Sequence, residues 1–115
     1  EGFTMAEIER LIKSYLPMSE ASFLLLFCLQ QENHGYGIMQ QVQELTEGRV
    51  AMGAGTVYTI LYKMENDGLI EVTRTFERRK LYKITPVGEA ILEKETERIR
   101  QLARIADQRE LVGAQ

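Results

Sequence analysis

The sequence predicts a mainly helical fold with one small β-hairpin, which is an α+β fold. Apolar residues recur every three or four positions through most of the 115-residue chain. Between residues 69 and 84 this helical spacing gives way to two extended runs separated by charged residues. Helices on both sides of a single hairpin therefore define the expected architecture.

The most informative helix is predicted between Gly53 and Gly68, where Gly68 ends it as glycine does just past a helix C-terminus. Its apolar positions are Val57, Tyr58, Leu61 and Met64. Its opposite face carries Thr56, Thr59, Tyr62, Lys63 and Asn66. A short helix with such a hydrogen-bonding outer face is suited to the DNA major groove, although a solvated helix gives the same pattern.

A hairpin with a basic tip is predicted directly after this helix. Its strands are expected over Leu69–Thr75 and Leu81–Ile84, with a charged tip over Phe76–Lys80. Three consecutive cations lie in the tip, namely Arg78, Arg79 and Lys80. Such a run is often only a solvated loop, but after a groove-reading helix it predicts a wing whose cations reach DNA phosphates.

The charge distribution favours the same interpretation. The chain has 14 Lys and Arg against 17 Asp and Glu, a net charge of −3. Residues 49–83 nevertheless hold seven basic and four acidic side chains, and they form the only net-positive segment. Because phosphate contacts are screened within about 8–10 Å, a local basic face can bind DNA on an acidic protein.

Three more helices are predicted before the groove-reading helix. The first begins with a capping box from Thr4 to Glu7. The second runs from Ser19 to about Glu32 and is apolar nearly all round, so it is expected to be buried. The third ends near Gly48. This order predicts a winged helix-turn-helix domain over residues 5–85, with the first helix as an addition.

A long C-terminal helix is predicted over residues 86–113. Thr85 is its expected cap and Pro86 its first helical residue, and nothing interrupts it before about Val112. Its narrow apolar stripe includes Leu92, Ile99, Leu102 and Ala106. We expect this stripe to be buried against a second copy, giving a homodimer that reads a palindromic operator in double-stranded DNA.

Several classes of protein do not fit the sequence. No apolar run approaches the roughly 20 residues that span a bilayer, and neither a signal peptide nor a cysteine pair is present, so a cytoplasmic protein without a membrane partner is expected. The residues suggest no catalytic pair, metal site or cofactor, and therefore no enzyme. Apolar neighbours favour an inert, buried Cys28 thiol over a redox sensor. Glu1 to Thr4 precede the first methionine and are left out of functional reasoning.

The chain carries five ordered motifs, namely His34-Gly-Tyr-Gly-Ile38, Gly55-Thr-Val-Tyr-Thr-Ile-Leu61, Glu65-Asn-Asp-Gly-Leu-Ile70, Arg78-Arg-Lys-Leu-Tyr82 and Ile84-Thr-Pro-Val-Gly88. Together they resemble the PadR family of bacterial transcriptional regulators. The resemblance covers about residues 19–89 and implies a homodimeric winged-helix repressor of the short-tailed subgroup, often relieved by a small effector. Ala54 and Thr59 stand where the family commonly has proline, which indicates a changed sequence preference. The chain also has no tryptophan, so drug sensing between tryptophans is not expected.

The resemblance and the chemistry together assign residue roles. Thr56, Tyr58 and Lys63 are expected at DNA, although Tyr58 is either a core residue or a phosphate contact. Thr59 and Tyr62 are candidates for base-edge or backbone contacts, and the wing cations contact phosphates. Tyr36 is expected to pack in the core and bond a phosphate, whereas His34 is expected to cap a helix.

A small apolar or aromatic effector is expected near Leu11 and Tyr15, between the first helix, the C-terminal helix and the partner subunit. The predicted function is a dimeric repressor released by such an effector. The alternative is a winged-helix module that binds a protein partner instead of DNA.

Overall fold

The computed structural model describes residues 2–109. Seven elements follow one another in this range: α1 (Met5–Tyr15), α2 (Glu20–Cys28), α3 (Gly35–Leu45), α4 (Ala54–Asn66), β1 (Ile70–Phe76), β2 (Arg79–Ile84) and α5 (Pro86–Ala106). The predicted α+β fold, a winged helix-turn-helix followed by a long C-terminal helix, is confirmed.

The expected helix starts are present. Thr4 and Glu7 form both bonds of a capping box at α1. The Ser19 side chain accepts from the backbone of α2, and the Thr85 side chain does so at α5. These caps satisfy backbone N–H groups that have no partner within the helix, so they fix where each helix begins.

The prediction for the end of α2 was wrong, because α2 stops at Cys28 and not near Glu32. The backbone of Asn33 forms an isolated antiparallel bridge with Tyr82, donating and accepting at 3.0 and 2.8 Å. The Leu29 carbonyl also accepts from the Ile84 N–H at 2.8 Å. Pairing with β2 requires extended backbone at Asn33, which local helical periodicity cannot reveal.

The hairpin is longer and its turn shorter than predicted. β1 and β2 pair antiparallel from Ile70 opposite Ile84 to Phe76 opposite Arg79. The turn therefore consists of Glu77 and Arg78, whose φ angles of 52° and 66° suit a tight hairpin turn. Arg79 and Lys80, expected in the tip, belong to β2 instead, and strand pairing fixes their backbone.

The core lies around α2. Its fully buried side chains come from four helices, the α4–β1 connection and β1, and they include Leu25, Leu26, Leu29, Ile38, Leu61, Met64, Leu69, Ile70 and Ile91. Cys28 lies in this core, and burial raises the pKa of its thiol to about 11. Such a thiol stays protonated near neutral pH, which agrees with the expected inert cysteine.

The first half of α5 packs on the domain, contrary to prediction. Ile91 and Leu92 are buried in the common core, so the predicted boundary at residue 86 does not separate two packing units. Leu92 is only 6% exposed and is not available to a second copy. Side chains from Arg100 to Ala106 are all exposed. Residues 110–113 of the predicted helix lie outside the described residues.

Glu95 fixes α5 to the loop between α1 and α2. This carboxylate is 1% exposed, and its Oε2 accepts from the Met18 N–H at 3.0 Å. Arg98 donates to the same carboxylate through Nε at 2.7 Å and Nη2 at 2.8 Å. The Arg98 guanidinium and the Met18 N–H lower the pKa of Glu95 despite its burial.

None of the helices in residues 2–109 is long and apolar enough to span a membrane.

We predict that Glu95→Gln lowers the free energy of unfolding at neutral pH by about 1–2 kcal/mol, because two charge-assisted bonds from Arg98 are lost. The folded state depresses the pKa of Glu95, so its stabilising effect is present above the unfolded pKa of about 4.3 and is lost as pH falls through the folded pKa. Urea unfolding at several pH values should show the deficit shrinking in acid. Glu93→Gln, at an exposed position of α5, is the control, and a pH-independent deficit would contradict the ionic role.

Candidate nucleic-acid interface

The outer face of α4 is oriented as predicted. Val57, Leu61 and Met64 are buried against the domain. Thr56, Thr59 and Tyr62 are exposed, and Tyr62 keeps 70% of its surface. Hydroxyl groups on an exposed helix face can hydrogen-bond base edges or phosphates.

Lys63, which was expected at DNA, is exposed and forms an ion pair within the chain. Its Nζ lies 2.8 Å from Asp67 Oδ2 and 4.6 Å from the centre of the Tyr15 ring. The Tyr15 hydroxyl donates to the same Asp67 oxygen at 2.7 Å. Burial and the bond to Asp67 raise the pKa of Tyr15, so it keeps its proton. The three side chains join the end of α1 to the end of α4, and we call them the Tyr15–Asp67–Lys63 cluster.

Tyr58 is a surface residue. Of its two predicted roles, the structure excludes the core residue, and the phosphate contact stays a prediction. Tyr58 is 53% exposed, and its hydroxyl lies against the first residue of α3, Gly35. A Cβ at Gly35 would lie 2.6 Å from the Tyr58 hydroxyl oxygen. The absence of a side chain at Gly35 therefore lets Tyr58 pack beside the start of α3.

Tyr36 was predicted to pack in the core, and that prediction was wrong. Its side chain is 53% exposed. The guanidinium carbon of Arg79 lies 5.8 Å from the centre of its ring, within cation–π range. His34 is the N-cap of α3, and its Nδ1 accepts from the Gly37 N–H at 3.0 Å. The expected capping role of His34 is thus confirmed.

The wing is attached to the segment before α3. Besides the Asn33–Tyr82 bridge, Glu32 binds two residues at the bulge of β1. Its Oε1 accepts from Arg74 Nε at 3.2 Å, and its Oε2 accepts from the Thr73 hydroxyl. Sequence analysis missed this attachment, because neither Glu32 nor Asn33 belongs to a recognisable wing motif.

A cleft of about 340 Å³ lies between the wing, the start of α3 and the side of α4. We call it the wing cleft, and it is lined by His34, Tyr58, Arg78, Arg79, Lys80 and Tyr82. It brings together four residues that were predicted to contact DNA. The hydroxyl-bearing residues Thr59 and Tyr62 lie on the outer face of α4, and Tyr58 belongs to both α4 and the cleft.

The residues predicted for dimerisation and effector binding lie elsewhere. Ile99 is half-buried, Leu102 is 49% exposed and Ala106 is exposed on the second half of α5. Leu11 lines a cleft of about 420 Å³ between α1 and the end of α4. Tyr15 is buried and bonded to Asp67, and it does not line this cleft, so its predicted contact with an effector is not supported.

Comparisons with known proteins agree with these elements. The sequence pattern of the transcriptional regulator PadR-like family matches residues 24–94. An uncharacterized protein of Lysinibacillus sphaericus is 28% identical over 75 residues, 62% of this chain and 69% of that protein. A PadR family transcription regulator from Clostridium difficile has a TM-score of 0.69 and 27% identity, covering 78% of this chain and 97% of its own. A PadR-like transcriptional regulator from Bacillus cereus, 23% identical, shares the fold with a TM-score of 0.65 over 88% of this chain and 99% of its own.

The fold and the basic wing beside an exposed helix define a winged helix-turn-helix protein of the kind that binds DNA. The family match extends over most of the chain, from the middle of α2 into α5. The chain belongs to the PadR-like family of transcriptional regulators, and this family and the similar structures are regulators and not enzymes.

Proposed function

We propose that this protein is a sequence-specific DNA-binding regulator that inserts α4 into the major groove. One observation carries the proposal: the exposed face of α4, with its hydroxyl groups, lies beside the basic wing cleft. Tyr58 is a residue of α4 and also lines the wing cleft. In this arrangement Thr56, Thr59 and Tyr62 face the DNA groove. The contacts to the phosphates of the DNA backbone come from Tyr36, Tyr58, Arg78, Arg79 and Lys80. Lys63 is exposed in the last turn of α4 and contributes a phosphate contact in this proposal, beside its ion pair with Asp67.

Salt dependence separates this function from a winged-helix module that binds a protein. A protein that neutralises several phosphates releases their counterions, so its affinity falls by orders of magnitude over a few-fold rise in salt. Fluorescence anisotropy with a labelled 20-base-pair duplex at 50–300 mM salt measures this directly. Binding without a steep salt slope, or no binding at the lowest salt, contradicts the DNA-binding function.

The active form is a dimeric repressor in this proposal. Leu102 and Ala106 are exposed on one side of the second half of α5, and Ile99, half-buried beside Phe23 and Leu24, continues the same stripe. With Ile105 they form an apolar surface that a second copy would bury. Two copies would place two α4 helices on half-sites about 34–36 Å apart in a palindromic operator.

An effector would act through the cleft lined by Leu11. Asn66 and Asp67, at the end of α4, line the same cleft, as does the small side chain of Ser14. Phe3 and Leu11 are the apolar residues of this cleft, beside the charged Glu7 and Arg10. A small aromatic molecule packed on Leu11 would also touch Asp67, which belongs to the Tyr15–Asp67–Lys63 cluster. Relief of repression would then follow from displacement of α4 relative to its copy in the dimer.

We predict that Arg78→Ala weakens binding to all duplexes similarly and lowers the salt slope by about one phosphate, because a cation at the wing tip reads no base. Affinity should be measured at five salt concentrations on two unrelated duplexes. Lys94→Ala removes the same charge from α5 and should leave the slope unchanged. An unchanged slope for Arg78→Ala would exclude the wing tip from the interface.

We predict that Thr59→Ala and Tyr62→Phe reduce the preference for the operator over random DNA by about 1–3 kcal/mol for each base edge lost. The operator is first obtained by selecting duplexes from a random pool with the wild-type protein. Thr96→Ala, on α5, is the control for loss of a threonine. Equal losses on operator and random DNA would reassign both residues to phosphate contacts.

We predict that Ile99→Glu combined with Leu102→Glu gives a monomer that no longer binds the operator tightly. Burying each apolar side chain contributes roughly 1.5–3 kcal/mol to the free energy of dimerisation. In a symmetric dimer each substitution is present in both subunits, so its effect is doubled. Sedimentation equilibrium and operator binding are the measurements. Arg100→Glu with Arg104→Glu changes charge on the opposite side of α5 and should stay dimeric. A dimeric double mutant with normal operator binding would mean that the dimer forms elsewhere.

A further inference from the structure

We propose that the wing cleft seats one DNA backbone phosphate between the Nε2–H of a neutral His34 and the guanidinium of Arg79. His34 then has a second role beyond capping α3, as a hydrogen-bond donor to DNA. The proposal rests on the proposed function, since the phosphate belongs to the duplex. It places a phosphate oxygen between His34 Nε2 and the Arg79 guanidinium, on the side of the wing cleft nearest α3.

The first argument is the position of the hydrogens on His34. Nδ1 accepts from the Gly37 N–H at 3.0 Å, so it carries a lone pair and no proton. A neutral imidazole has one proton, which must therefore be on Nε2. His34 Nε2 lies 3.4 Å from Nη1 of Arg79, and a guanidinium has donors only. Two donors thus face each other, and neither can accept from the other.

Two facing donors at this separation can share one acceptor placed between them. A phosphodiester oxygen accepts from both at once and also neutralises the guanidinium, which makes it a better acceptor than water. None of the described side chains that line the cleft is a carboxylate, whereas three of them are cations. The charge of the cleft therefore selects an anion, and its volume of about 340 Å³ leaves room for a phosphate group.

The second argument is that both donors are held in place before any ligand arrives. Arg79 begins β2, and its guanidinium lies over the Tyr36 ring at 5.8 Å. The bond to Gly37 orients the His34 ring. Tyr58, packed beside Gly35, puts its hydroxyl on the α4 side of the same cleft as a further possible donor. Donors ordered in advance lose less conformational entropy when they bind.

The test uses His34→Asn, because asparagine is a good N-cap and can accept from the Gly37 N–H, while its amide N–H group is on a shorter side chain and does not extend to the position of His34 Nε2. His34→Ser, also a capping residue, repeats the test with a smaller side chain. A labelled 20-base-pair duplex of arbitrary sequence is the probe, and thermal unfolding checks that each variant remains folded.

We expect both His34 variants to bind the duplex about three- to tenfold more weakly, the effect of one hydrogen bond, with the salt slope unchanged. The slope stays because a neutral donor releases no counterion. Arg79→Gln should weaken binding and also lower the slope by about one phosphate. A merely structural role of His34 would lower the unfolding temperature in step with the affinity, and that result would overturn the proposal.

Other outcomes separate this proposal from the proposed function. If both His34 variants bind the duplex with wild-type affinity, the phosphate contact of His34 is wrong and the DNA-binding function is unaffected. If the wild-type protein does not bind the duplex, the phosphate contact and the DNA-binding function are both wrong. Nitrogen NMR of the free protein that finds the proton on Nδ1 of His34 removes the donor argument. If the variants lose binding of inorganic phosphate but keep duplex affinity, the cleft is an anion site unrelated to DNA, and the proposal is wrong.

Discussion

The backbone pairing of Asn33 with Tyr82 sets the geometry on which the wing cleft depends. A two-stranded hairpin is marginally stable alone, so its position is defined by what it is attached to. Here Asn33 and Tyr82 exchange two hydrogen bonds of 3.0 and 2.8 Å. Asn33 directly precedes the cap of α3, and Tyr82 lies in the same strand as Arg79. This one bridge therefore brings His34 and Arg79 within reach of each other, although they are 45 residues apart.

Elements defined by local interactions were predictable from the sequence. Capping bonds at Thr4, Ser19 and Thr85 span three residues, and each signal is visible in the chain itself. The amphipathic pattern of α4 likewise follows from helical spacing, which is why its buried and exposed faces were assigned correctly. Gly68, with a φ of 85°, ends α4 as expected, because glycine adopts that conformation at little cost.

Features decided by distant partners were not predictable. Tyr36 was expected in the core because an apolar ring at helical spacing usually is buried, but Arg79 lies over it at the surface. Nothing in the sequence around Glu95 indicates burial, yet Met18, 77 residues away, donates its N–H to it. Leu92 was assigned to a partner subunit because nothing in the sequence shows that α5 turns back onto the domain. In each case the deciding contact is formed between elements and leaves no local pattern.

Two ionic clusters, one at Glu95 and one at Asp67, link α5 and α4 to α1 and to the loop that follows it. Glu95 fixes α5 to the loop that follows α1, and Tyr15 at the end of α1 bonds Asp67 at the end of α4. A carboxylate at a helix C-terminus is unfavourable to the helix dipole, and Lys63 together with the Tyr15 hydroxyl compensates for it. The position of α1 is thereby coupled to the end of α4, while Tyr58 couples the beginning of α4 to α3. The bond from Tyr15 to Asp67 therefore joins α1 to the C-terminal end of the same 13-residue helix that carries Thr59 and Tyr62.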